Sequence, residues 1–277
     1  MTLLLGLGII GSRCADQLSQ AKFPLETWNR TPKNRPDFSQ DLIQSATNAD
    51  IVLCYLRDDH AVREIFTQIK SALKKGTTFI NHATIDPATT LWLADECREI
   101  ACEFLDCPFT GSRDAAEAGK LVYYCSGDSK LIEKHRALLE ITSRVIVPLG
   151  PPPAATILKI TTNLLTASTV QAVAEALAIC EAHGIDAAHY QAAMQENASN
   201  STTAKVKLAA ITASDFTPHF STENMLKDVN YSRALAREKN LTLPGLEATA
   251  SQLDKAAKSG HAHDDFSSVA KLLKPGN

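Results

Sequence analysis

What is scarce in this chain narrows its class. The seven cysteines are an odd number and form no CxxC pair, which points to reduced, buried thiols set among apolar neighbours. A large excess of charge of either sign is also missing. The 28 basic and 31 acidic residues give a net charge of −3 and a pI near 6.2, so no general basic surface for nucleic acid or an anionic membrane is expected. The apolar opening MTLLLGLGII lacks a basic leader and a small-residue cleavage site and is broken by glycines, so it reads as a strand and its turn rather than a signal core. Elsewhere no apolar run approaches the roughly 20 residues of a membrane helix, and neither an internal repeat nor a low-complexity segment is visible. These absences point to a cytoplasmic protein acting on a small molecule.

What is present is enough for a large core: 277 residues, 44% of them hydrophobic. Short apolar runs at 2–5, 25–29, 49–56, 77–83, 102–108, 120–126 and 144–150 alternate with amphipathic helix-length segments. That alternation predicts a mostly parallel sheet covered by helices on both faces. After PLGPPP (148–153) the texture changes, and no proline or glycine follows from Ala154 to His183. A helix of about 30 residues is expected there, followed by helices near 186–195, 201–212, 220–240, 245–258 and 265–273. The prediction is therefore an α/β Rossmann domain over 1–152 and an all-helical domain over 153–277.

The first turn carries a recognisable phosphate device. Gly6, Gly8 and Gly11 stand in GxGxxG spacing between a strand and a helix, where they allow a tight turn, close backbone approach to a pyrophosphate and close helix packing. About 20 residues later, where an acidic residue would bind a ribose 2′-hydroxyl, the chain has Asn29, Arg30 and Thr31, with Lys33 close behind. A guanidinium and a hydroxyl suit a 2′-phosphate, so NADP(H) is expected over NAD(H).

ILKITTN (157–163) places Lys159 in an apolar, threonine-rich helix, with Asn163 four residues later on the same face. An ammonium drawn out of water needs a partner or becomes a proton donor. A carbonyl that receives a hydride needs such a donor, which makes Lys159 the candidate general acid and Asn163 a hydrogen-bond donor to the same oxygen. Thr110, Gly111 and Ser112, after the strand FLDCP, offer hydroxyls and backbone N–H groups suited to a substrate carboxylate. His261 and His263 form an HxH without an evident third ligand, so no metal is expected.

Six segments occur in an order that resembles the β-hydroxyacid dehydrogenases: the glycine motif, WNRT, FLDCPFTGSRDAAEAG, LKITTN, LKDVNYSRALAREKN and DDFSSV. GSR with AE.G and the terminal DDFSSV look most like the glyoxylate and succinic semialdehyde reductase branch. The resemblance implies a two-domain architecture like that of 6-phosphogluconate dehydrogenase, a helical domain used in dimerisation or higher homo-oligomers, and NADPH-dependent reduction of small aldehyde or 2-oxo acids. It gives Lys159 the catalytic role, Asn163 substrate orientation, and Thr110, Gly111 and Ser112 carboxylate binding. Cofactor contacts are implied for Leu7, Ile9 and Ile10 beside Gly6 and Gly8, for Leu56, and for Thr84 next to the nicotinamide. Phe220, Lys227 and Asp228 are implied to close over the cofactor and active site, Phe220 and Asp228 toward substrate and Lys227 toward cofactor.

The chain departs from the family at several pocket positions. Thr110 replaces the usual serine, His82 and Ala83 a frequent methionine-serine pair, Pro153 and Ala155 the glycines before the lysine, and Glu223 a common lysine. These departures bear on substrate identity more than on reaction type. Two rival readings are an imine reductase, which usually lacks this lysine, and a noncatalytic NADPH-binding module.

Overall fold

A computed structural model describes residues 1–273. The first part runs β1 (Thr2–Leu5), α1 (Ile9–Gln20), β2 (Leu25–Trp28), α2 (Leu42–Asn48), β3 (Ile51–Cys54), α3 (Asp59–Ile69), β4 (Thr78–Asn81), α4 (Pro87–Glu99), β5 (Glu103–Asp106), β6 (Phe109–Thr110), α5 (Arg113–Glu117), β7 (Leu121–Ser126), α6 (Ser129–Thr142) and β8 (Ser143–Leu149). A long helix, α7 (Ala154–Ala182), follows, then α8 (Ala187–Gln195), α9 (Thr202–Thr212), α10 (Thr222–Glu238) and α11 (Pro244–Ala256). Residues Ala257–His261 form a π-helical turn and Phe266–Leu273 a 3-10 segment. This is a Rossmann-type sheet followed by helices, as the alternation and then the loss of strands predict.

Strand order in the eight-stranded sheet is β2-β1-β3-β4-β5-β7-β6, with β8 beside β7. The strands β1 to β5 are parallel, and β7 meets β5 and β6 antiparallel. Alternation along each strand divides the core. Leu3, Leu5, Val52 and Phe79 face Val62, Phe66 and Leu93 on one side, while Leu4, Leu53, Ile80 and Leu105 face Cys14, Leu18, Leu131 and Leu139 on the other. Both faces are buried, as a parallel sheet requires. The chain leaves β1 for β2 on one side and returns to β3 on the other, so the order reverses at β1/β3, and the carboxyl ends of these strands are where such a sheet binds its ligand.

Compactness divides the chain after Lys159, inside α7. The reason is local: the first turn of α7 is bonded to the sheet, as described below. At 29 residues α7 spans about 44 Å. It is also long and apolar enough, by length and composition alone, to cross a membrane, which corrects the expectation that no such segment exists. Within the second unit it contributes Ala167, Val170, Ala174 and Leu177 to a core shared with Leu208, Met225, Leu246 and Phe266.

Two details differ from the sequence reading. Phe109 and Thr110 form a short strand paired with Tyr123 and Val122, so Thr110 lies before the turn rather than within it. The segments at 257–261 and 266–273 leave the α-helical ladder. Gly260, at φ +90, interrupts the first, and in the second Asp265 takes the N–H and hydroxyl of Ser267, which competes with α-helical pairing.

Candidate active site

The glycine loop is built for an anion. Gly6 has φ +98, and a Cβ there would lie 2.6 Å from the carbonyl oxygen of Tyr55. At Gly11 a Cβ would sit 2.0 Å from the oxygen of Gly6, so α1 packs on the strand only because this position is bare. Gly8 differs, having no described atom within 4 Å of where its Cβ would be. The helices α2, α3, α4, α5 and α6 begin with Asp or Ser caps. Helix α1 has no side-chain cap among the described residues, so its first N–H groups, beside Gly8, Ile9 and Ile10, remain available to a phosphate. The loop and helix therefore fit a dinucleotide.

The Asn29-Arg30-Thr31 segment follows β2 directly. Asn29 Oδ1 accepts the N–H of Leu7 at 2.9 Å, and its Nδ2 donates to the carbonyl of Thr31. Asn29 thus holds the glycine loop to the segment that follows β2. Arg30 is exposed and paired with Glu64, and Thr31 and Lys33 are exposed. Leu56 follows β3 half-buried against the core, and Thr84 follows β4. These residues gather at the carboxyl ends of β1 to β4.

On the same unit Lys159 is 8% exposed, with Nζ 5.7 Å from the centre of the Phe109 ring, a range in which an ammonium is attracted to an aromatic face. Phe109 adjoins Thr110, Gly111 and Ser112. Gly111, at φ +141, would bring a Cβ to 2.7 Å from Leu121, so this turn also needs glycine. The Ser112 hydroxyl accepts the N–H of Ala115 as the cap of α5; its own proton can still be donated.

Phe109 also borders an aromatic stack, its ring 6.1 Å from that of Tyr55. His82 is buried, stacked on Tyr55 at 4.4 Å and tilted against Tyr123 at 4.7 Å. Its Nδ1 lies 2.7 Å from the Cys107 carbonyl; a carbonyl only accepts, so Nδ1 carries the proton. Burial pushes its pKa down to about 3, against the opposing effect of that bond. His82 is therefore a neutral residue of the core.

In the second unit Asn163 and Asp228 are both buried. Asn163 Nδ2 donates to Asp228 Oδ2, and Lys227 Nζ donates to Asp228 Oδ1 at 2.7 Å. Asp228 orients Asn163 through this bond and shares its charge with Lys227. Phe220 packs in this unit against Phe266, with ring centres 6.5 Å apart. The segment around it is organised by Asp265, which accepts the N–H groups of His219 and Phe220 and pairs with Lys207 at 2.6 Å. Burial pushes the Asp265 pKa up, but Lys207 and the hydrogen bonds outweigh it and hold the carboxyl below its usual range. The DDFSSV motif was the available signal for Asp265.

A nucleotide-type sheet with an open, uncapped helix N-terminus and a buried lysine beside a polar turn defines a nicotinamide-dependent oxidoreductase. Comparisons agree. The NAD-binding domain of 6-phosphogluconate dehydrogenase matches residues 3–150, and the NAD-binding domain of NADP-dependent 3-hydroxyisobutyrate dehydrogenase matches 154–273. Glyoxylate/succinic semialdehyde reductase 2 of Arabidopsis thaliana is 26% identical over 98% of this chain and 78% of its own length. An NAD-dependent L-serine dehydrogenase of Pseudomonas aeruginosa is 26% identical over 98% and 97%. The structure of 3-hydroxyisobutyrate dehydrogenase from Mycobacterium tuberculosis with L-serine superposes with a TM-score of 0.89 at 24% identity, covering 98% of each chain. The chain belongs to the β-hydroxyacid dehydrogenase family. It is an NAD(P)-dependent oxidoreductase acting on CH–OH and C=O groups.

Proposed function

We propose that this enzyme uses NADPH to reduce short aldehyde or 2-oxo acids, glyoxylate and succinic semialdehyde being the first candidates, with Lys159 as general acid. The buried placement of Lys159 beside the Phe109–Ser112 segment is the observation that carries this reading. When bound, the reduced nicotinamide supplies the hydride. Lys159 donates the proton that the carbonyl oxygen takes up, a contribution worth about 10²–10⁴ in rate. Thr110, Gly111 and Ser112 hold the substrate carboxylate through hydroxyl and backbone donors. Asn163, four residues on in α7 and held by Asp228, orients the carbonyl.

The preference for NADPH is supported by Arg30, Thr31 and Lys33, with no carboxylate at the end of β2. The reading also includes a homodimer or higher homo-oligomer, because Leu165 and Ile179 on α7 are exposed apolar residues that self-association would cover; light scattering tests it. Cytoplasmic placement is part of the same reading, in keeping with free thiols.

The test is NADPH oxidation with glyoxylate, succinic semialdehyde and a cyclic imine, comparing wild type with Lys159→Ala. Turnover of the aldehyde acids should fall by about 10²-fold or more in the variant, while NADPH binding persists. Wild-type rates in the variant would refute the lysine's role, and turnover confined to the imine would refute the substrate class.

A further inference from the structure

The helix that carries Lys159 has only backbone acceptors close by in sequence: the N–H of Ala154 is bonded to the Pro151 carbonyl at 3.2 Å, and the next two N–H groups need partners from elsewhere. Pro152 and Pro153 precede Ala154, and proline has no side-chain oxygen for the first N–H groups of a helix. Two residues of the sheet supply the acceptors instead. Ser126, at the end of β7, accepts the N–H of Ala155 at 2.7 Å, and Asp106, at the end of β5, accepts the N–H of Thr156 at 2.9 Å. Ser126 and Asp106 stand directly opposite each other across the antiparallel pair. Thr156 Oγ1 lies 2.9 Å from both carboxyl oxygens and 2.9 Å from Thr90 Oγ1 on α4. Asp106, Ser126, Thr90 and Thr156 are all buried, so water does not compete for these bonds.

We infer that Asp106 is a positioning residue for Lys159: by gripping both the N–H and the hydroxyl of Thr156, it fixes the rise and rotation of the turn that presents the ammonium. The inference rests on the reading of Lys159 as proton donor. Thr156 and Lys159 are three residues apart, on adjoining turns of one helix face, and both are buried. A bond to the backbone N–H alone limits sliding along the axis, whereas a second bond to the side chain also limits rotation about it. Rotation matters here because it shifts the ammonium relative to the Phe109 ring, whose centre lies 5.7 Å from it.

The carboxyl can hold this grip in either protonation state. Burial pushes its pKa up to about 7, although Thr156 and Asn81 pull it down. As a carboxylate it accepts from both groups of Thr156. As an acid it still accepts the N–H and donates its proton to Thr156 Oγ1, whose own hydrogen turns to Thr90. Asparagine has the shape and hydrogen-bond pattern of the second arrangement, which separates placement from charge.

The experiment compares Asp106→Ala, Asp106→Asn and Thr156→Val in the full chain. It reads kcat and KM, NADPH Kd, and the acetylation rate of Lys159 by acetic anhydride in the cofactor-free protein, followed by peptide mass spectrometry. Asp106→Ala should lose about tenfold or more in kcat, since a misplacement of an ångström can cost about 10²-fold, with NADPH Kd unchanged. Its Lys159 acetylation rate should rise, while Asp106→Asn keeps kcat within about threefold of wild type and leaves the acetylation rate unchanged. Should the alanine variant fail to fold, Thr156→Val carries the test, and the expected result is a lower kcat with faster acetylation. Wild-type kcat and acetylation in Asp106→Ala, or in Thr156→Val if that variant decides, overturns the inference, as does an asparagine variant as impaired as alanine. Lys159→Ala at wild-type rates overturns this inference and the function together; an inactive Lys159→Ala beside an unimpaired Asp106→Ala overturns this inference alone.

Discussion

Gly8→Ala and Gly11→Ala add the same methyl group three residues apart, and the structure assigns them opposite consequences. At Gly11 the new Cβ would lie 2.0 Å from the Gly6 carbonyl oxygen and 3.0 Å from Tyr55 Cβ. Neither neighbour is a flexible chain end. One is backbone in the same loop, and the other begins a side chain whose ring stacks on His82. Relief requires α1 to move off the sheet, loosening Cys14, Ala15 and Leu18. Overpacking costs about 1–3 kcal/mol, and this backbone contact belongs at the upper end. At about 2–4 °C per kcal/mol for a chain of this size, Gly11→Ala should melt roughly 6–12 °C below wild type. At Gly8, φ is −75 and no described atom lies within 4 Å. The methyl there costs less than about 1 kcal/mol as an altered helix cap, so Tm should drop by less than about 4 °C. It does intrude where a pyrophosphate must approach the first N–H groups of α1, and NADPH affinity should fall about tenfold or more, equivalent to about 1.4 kcal/mol. Thermal melting without cofactor and fluorescence titration with NADPH measure the two effects. A Gly8→Ala protein that melts like Gly11→Ala, or that binds NADPH like wild type, refutes the division of roles.

The Arg30–Glu64 pair is exposed and so is worth at most about 1 kcal/mol. Glu64→Gln should release Arg30 and tighten NADPH by up to about fivefold, with NADH unchanged, whereas Arg30→Ala should weaken NADPH far more than NADH; equal changes for both cofactors in titrations would exclude a 2′-phosphate contact. His82 has a folded pKa of about 3 against an ordinary 6.5. Its stabilising contribution is therefore complete above pH 6.5 and declines as pH falls toward 3, because the unfolded chain takes up the proton first. Between pH 6.5 and 4, urea unfolding of wild type should lose about 3 kcal/mol more than His82→Phe does, and parallel losses would show that the imidazole is not held neutral.

Much of the fold was legible because both of its periodicities are strong. The buried leucines of β1 and the glycines after it announce a nucleotide-type sheet, and the proline-free stretch after residue 153 announces α7. The tail was harder to read. Ser267 and Ser268 sit in an apolar context that reads as helix, yet Asp265 draws Ser267 into a side-chain bond that no helical period reveals. The site showed the same division. Gly6, Gly11 and Lys159 could be named from spacing and chemistry, because a tight turn, close helix packing and a buried ammonium each demand particular residues. Asp106 and Thr156 could not, since their partnership joins positions fifty residues apart and depends on which strand ends lie beneath α7. Ser112 shows a limit of another kind, for a hydroxyl suited to a carboxylate is equally suited to capping a helix.

The double engagement of Asn29 has a practical corollary for redesign. Because its amide tethers Leu7 and Thr31 at once, the shape of the glycine loop rests on a side chain adjacent to, but separate from, those proposed to meet the 2′-phosphate. Engineers seeking to exchange one coenzyme for the other would leave Asn29 untouched and vary its two exposed successors, Arg30 and Thr31, whose side chains can change without dismantling the loop.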